Sequence, residues 1–159
     1  MFRRNDPERR AVMLINVTGR AHNQWGKKQL QAAEGYGEIL DFPMPAVAAS
    51  ASEEDVDHIA ALIVRRILRT LGMEKRSVSE TEASRDGGSE DGVSEEELSG
   101  HLILCQGDFT LVYRVVAALK ERGLRVASPT YERVTKPTLK PDGTTVPGYS
   151  FEFVKFRAY

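Results

Sequence analysis

The residues best equipped for chemistry lie in three short polar stretches. The first, "TGRAHNQW", places Thr18, Arg20, His22 and Asn23 close together. Histidine is the side chain that titrates nearest neutral pH, so His22 can take up or deliver a proton. Arg20 can hold an anionic oxygen, and Thr18 and Asn23 beside a helix start can add donors to a nucleotide cradle. The second, "QGDFT", offers Gly107 for close backbone approach to a ligand, Gln106 to read it and Thr110 to donate from a helix start. Asp108 as a cap is negative where a phosphate would sit, which favours a base or a ribose hydroxyl at this loop. The third, "SPTYERVTK", supplies Ser128, Thr130, Glu132 and Arg133. Arg133 has the fork geometry that suits phosphate, and Glu132 can orient it. Each stretch also reads as ordinary caps, turns and the wet side of a strand.

The usual catalytic fingerprints do not occur: there is no G-x-G-x-x-G after a strand, no Walker lysine loop, no H-E-x-x-H and no G-x-S-x-G. With only His22, His58 and His101 no metal centre is expected, and no cofactor. His58 and His101 read as surface residues. The lone Cys105, inside an apolar run, reads as core and suits a reducing cytoplasm. In "FVKFRAY", Lys155 and Arg157 alternate with Phe153, Phe156 and Tyr159, as on a strand with one packed face and one charged face, so no long nucleic acid is expected.

These stretches need elements to position them. "AVMLINV" (Ala11 to Val17) has the continuous apolar character of a strand buried on both faces. Asn23 is placed to cap a helix carrying Trp25, Leu30, Ala32, Ala33 and Tyr36, and Glu38 to Phe42 forms a second strand ended by prolines. "SEEDVDHIAALIVRRILRTLG" is a helix with a Ser52 and Asp55 capping box, an apolar stripe at Val56, Ile59, Ile63, Ile67 and Leu71, and a stop at Gly72. "HLILC" is a third strand. A third helix, capped by Asp108 or Thr110, turns Leu111 or Val112, Val115, Val116 and Leu119 inward and ends at Gly123. "LRVASPTYERVT" is a fourth strand with a break at Pro129, "KPTLKPDGTTVPG" a turn, and "SFEFVKFRAY" a fifth strand closing a hairpin.

The formal net charge of −1 conceals a division. Ser77 to Ser99 holds eight acidic residues against Arg85, a local charge of −7, which leaves 21 basic and 15 acidic residues, or +6, elsewhere. The basic remainder suits an anionic ligand. The segment 76–99 reads as an acidic, disordered insertion into one domain spanning 1–159. No apolar run approaches the roughly 18 residues of a membrane span.

The order βαβα, insertion, βα and hairpin predicts an α/β fold: a Rossmann-like three-layer domain with a mainly parallel sheet and a C-terminal β-hairpin. Ligands of such sheets sit beyond the carboxyl ends of the strands where strand order reverses, so the loops after strands one, two and three should converge there.

"INVTGRAHNQWGKKQLQAAEGYGEILDFPMPAV", "GDFTLVYRVVAALKERGLRVASPTYERV" and "FEFVKFRAY" together resemble small Rossmann-like proteins of type III CRISPR systems. These are similar in layout to CRISPR-associated Rossmann-fold (CARF) domains and stand-alone ring nucleases. The resemblance implies a cytoplasmic homodimer that binds a cyclic oligoadenylate across its two-fold axis. It implies as well that the ring is cleaved without metal by the ribose 2′-hydroxyl, which switches off antiviral defence signalling. His22, Arg20, Glu132 and Arg133 would then be catalytic. Thr18, Asn23, Gln106, Gly107, Thr110, Ser128 and Thr130 would bind the ligand. A sensor that binds the messenger without cleaving it, and a partner-binding α/β module centred on the acidic insertion, stand as alternatives.

Overall fold

The computed structural model describes residues 12–73 and 100–159. The acidic insertion lies outside the described residues. The elements run β1 (Met13–Val17), a 3₁₀ turn (His22–Gln24), α1 (Lys27–Ala33), β2 (Glu38–Asp41), α2 (Glu53–Thr70), β3 (Leu102–Cys105), α3 (Phe109–Glu121), β4 (Val126–Leu139) and β5 (Thr145–Ala158). The five strands form one sheet in the order β2-β1-β3-β4-β5, parallel except for β5, which is antiparallel to β4. This is the α/β, Rossmann-like arrangement that the order of elements predicts.

Alternation along β1 and β3 divides the core between the two faces of the sheet. Ile15, Val17, Ile103 and Cys105 pack beneath α2 and α3 with Val56, Val64, Ile67, Leu111, Val115 and Leu119. Leu14, Leu102 and Leu104 point the other way, to Trp25, Ala33 and Phe156. Both faces of β3 are dry because helices cover both, so its sequence is apolar throughout and does not alternate. Burial pushes the Cys105 thiol up to about 12 and leaves it a small apolar filler.

Local signals in the chain set the helices. Ser52 and Asp55 exchange hydrogen bonds in a capping box. Asp108, rather than Thr110, caps α3, and its carboxylate accepts from the Thr110 and Leu111 amides. Gly72 and Gly123 take positive φ just beyond the helix ends. The buried stripe of α2 runs through Val56, Ala60, Val64, Ile67 and Leu71, while Ile59 and Ile63 flank it half-buried. Asn23 does not cap α1. It sits in the 3₁₀ turn, and α1 starts after Gly26 with no side-chain cap.

The largest departure from the sequence reading is the C-terminal hairpin. β4 does not break at Pro129, and it continues through the stretch expected to be a turn as far as Leu139. It pairs with β3 only through Val126 and Ala127, whereas it pairs with β5 from Ala127 opposite Ala158 to Leu139 opposite Thr145. Past Ala127 the two strands therefore leave the sheet as a two-stranded ribbon, with a bulge between Thr130 and Tyr131. Beyond the sheet β4 has a partner on one side alone, and for that reason Pro129 and Pro137 fit within it. The turn is confined to Lys140–Thr144, with Gly143 at φ 83° and the Asp142 carboxylate accepting from the Thr144 amide and hydroxyl. Lys28 and Gln29 of α1 brace the ribbon through Glu152 (3.7 Å) and the Tyr131 hydroxyl (3.1 Å).

Candidate functional site

Strand order reverses between β1 and β3, and the loops that follow β1, β2 and β3 meet beyond that point. Backbone hydrogen bonds lock the three together: Phe42 donates to the Asn16 carbonyl (2.8 Å), Met44 to Thr18 (3.3 Å) and Gln106 to Val17 (3.2 Å). The "QGDFT" corner thus lies against the first loop, as the topology predicts.

At the centre is a network that begins on a buried strand residue. Asn16, 1% exposed, donates through Nδ2 to Asp41 Oδ1 (2.7 Å) and to the Arg20 carbonyl (2.8 Å), and its Oδ1 accepts from the Thr18 hydroxyl (2.8 Å). Asp41, the last residue of β2, also accepts from the His22 amide through Oδ1 (3.0 Å), and its Oδ2 meets His22 Nδ1 at 2.7 Å. The paired register of Asn16 with Asp41 on neighbouring parallel strands brings the amide to the carboxylate. Burial raises the Asp41 carboxyl, but the hydrogen bonds from Asn16 and from the His22 side chain and amide outweigh it, so the group stays below the usual carboxylate range.

A carboxylate on Nδ1 fixes the imidazole so that Nε2, which has no partner among the described residues, points outward as the working nitrogen. The ring is 40% exposed and rests edge-on against Trp25, centroids 6.4 Å apart. Such a histidine can move a proton to or from a bound group. The Arg20 side chain lies at the surface, with Nη2 3.3 Å from the Gln24 carbonyl, and can swing toward an anion.

The sequence-predicted residues therefore divide. Thr18, Arg20, His22 and Asn23 share the first loop, and Gln106 joins it through its amide on Val17; Gly107 lies against Met44 of the loop after β2, and the Thr110 hydroxyl donates to Asp108 within the α3 cap (2.6 Å). Ser128 and Thr130 sit where the ribbon leaves the sheet, Thr130 bonded to the Lys155 carbonyl (2.9 Å). Glu132 pairs in register with Glu152, and Arg133 stacks its guanidinium 3.5 Å over the Tyr149 ring. At about 3.3 Å per residue Arg133 is about 20 Å along the strand from Ala127. His101 does not lie at the surface as its sequence position suggests: it is 5% exposed, and its Nδ1 accepts from the Met13 amide (3.1 Å). Asn16 and Asp41 went unread in the sequence. The available signal was a polar residue, Asn16, amid the apolar run "MLINV".

A cavity of about 1140 Å³ opens elsewhere, between α2 and α3, where Asp57 and Arg114 form an ion pair. No group of three or more His, Cys, Asp or Glu side chains among the described residues could hold a metal ion. No helix among them is long and apolar enough to cross a membrane.

Gly107 is tightly constrained: a Cβ there would lie 2.6 Å from Met44 Cγ. Gly107→Ala is expected to displace Met44 and cost about 1–3 kcal/mol, as overpacking does. Denaturant unfolding measures it, and an unchanged midpoint would show that the loop after β2 adjusts freely.

Residues 89–157 match the model of a family described as "Uncharacterized protein MJ1673 family". The match takes in β3, α3 and most of the ribbon, less than half of the chain, and leaves out β1, β2 and the His22–Asp41 pair. No curated protein and no solved structure matches the chain.

Proposed function

We propose that the crevice beyond β1 and β3 binds a cyclic oligoadenylate between two copies of the chain and cleaves it without metal, as a ring nuclease of the CARF-like class acting in the cytoplasm. The observation that carries this reading is the ordered Asn16–Asp41–His22 network with Nε2 facing outward at the switch point.

In the reaction the ribose 2′-oxygen attacks the adjacent phosphorus, the P–O5′ bond breaks, and the products are a 2′,3′-cyclic phosphate and a 5′-hydroxyl. His22 Nε2 takes the 2′-hydroxyl proton, and a proton returns to the departing 5′-oxygen. Asp41 orients the ring and stabilises the imidazolium that forms, while Asn16 holds Asp41. Arg20 offsets charge building on the phosphate oxygens. In-line positioning supplies most of the remaining acceleration. Gln106 is exposed and would read the adenine, whereas Thr18 is buried with its hydroxyl on Asn16 and serves the network, and the side of Gly107 where a Cβ would stand is filled by Met44.

The test is incubation with cyclic tri-, tetra- and hexa-adenylate, with and without divalent metal, followed by chromatography of products and a parallel binding titration. Metal-independent linear products support the reading, and tight binding without turnover makes the protein a sensor. No binding to any ring overturns both. Arg20→Ala is expected to weaken ring binding by about 1–3 kcal/mol, the value of a charge-assisted hydrogen bond, in the same titration.

A further inference from the structure

We propose that the groove between α2 and α3 is the docking site of the chain's own acidic insertion, Ser77 to Ser99. The cavity of about 1140 Å³ opens there because Ala60 and Ala61 of α2 and Ala118 of α3 line it, and their short side chains leave the space between the helices unfilled. Val64 and Leu68 add apolar surface to its floor. The charges divide along its length. Early in both helices Asp57 pairs with Arg114, and the two cancel. Late in both helices stand Arg65 and Arg122, which form no ion pair among the described residues, and Glu121 is the lining acid left beside them. The groove therefore has an apolar floor and a basic end.

The occupant follows from where the chain leaves and what it carries. Met73, the last residue described before the insertion, itself lines the cavity, and the chain resumes at Gly100 beside Val12. A helix-to-strand connection in such a fold takes about 2–6 residues, whereas residues 74–99 number 26. Extended at about 3.3 Å each they span about 86 Å, against about 24 Å for the groove from Met73 back to Asp57 at about 1.5 Å per helical residue. The segment is long enough to follow the groove and return. Its charge of −7 is opposite to that of Arg65 and Arg122, with Glu80 and Glu82 soon after Met73 and Glu95, Glu96 and Glu97 near the return. Attachment beside the groove favours this occupant over a separate acidic partner or the insertion of a second copy, because a tethered segment stands at an effective concentration on the order of millimolar.

The inference is independent of the crevice reading. It is tested in the full chain with Ala61→Cys in the groove and Ser94→Cys in the insertion, joined by a short bismaleimide at low protein concentration; the natural Cys105 is buried and does not compete. A cross-link within one chain is expected. Its rate should fall at least fivefold when Arg65→Glu/Arg122→Glu is added, and likewise in 1 M salt, where charges are screened beyond about 3 Å. Reversing the other side as well, with Glu95→Lys/Glu96→Lys/Glu97→Lys, should restore the rate to within twofold of the parent, which a folding defect caused by the arginine changes would not allow. The proposal is overturned if no cross-link forms, if the arginine reversal leaves the rate within twofold of the parent, or if the charge swap does not restore it. A product formed mainly between chains also overturns it, and would seat the insertion of a second copy in the groove.

Discussion

His22→Ala is expected to slow ring cleavage by about 10²–10⁴-fold, the usual contribution of a positioned acid or base. Binding of the ring should change far less, because the imidazole meets the ligand at the atom whose proton moves and contributes little elsewhere. Single-turnover cleavage without metal, with products separated by chromatography, gives the rate; titration gives the affinity. A rate within a few-fold of the parent would remove His22 as the proton carrier. Asp41→Asn sharpens the result. The amide can still accept from Asn16 and from the His22 backbone, but it does not stabilise an imidazolium, so the rate should fall while the fold persists. Equal rates in Asp41→Asn and the parent would reduce the pair to a structural contact.

Asn16→Ala should cost about 2–3 kcal/mol in denaturant unfolding, since it removes a buried donor to a carboxylate together with two further bonds. Its pH dependence is the more specific signature. The Asp41 carboxyl is held below its ordinary value when folded, so its contribution is present above that value and is lost as pH falls through the lowered one. Part of that lowering comes from Asn16. The gap between Asn16→Ala and the parent should therefore narrow as the medium becomes acid enough to protonate Asp41. A gap constant with pH would mean that Asn16 contributes by packing alone.

The sequence by itself determined the pattern of elements and most of their ends. The capping box of α2, the Asp108 cap and the glycines after both long helices act within a few residues, and so they are readable locally. The order of those elements, with right-handed crossovers, also determined that three loops converge beyond β1 and β3. Tertiary structure alone decided the site's partners and the hairpin's fate. Asp41 reads as the polar end of a short strand until parallel pairing sets it beside Asn16, 25 positions away, and a loop folds His22 back onto it. Glu132 and Arg133 read as site residues because they follow a parallel strand. Yet β4 keeps its pairing with β3 for only two residues, and its long antiparallel partner then carries them out along the ribbon. Prolines read as strand breakers in sequence, but a strand with one open edge has no hydrogen bond there to lose, and that edge exists only once the sheet has formed.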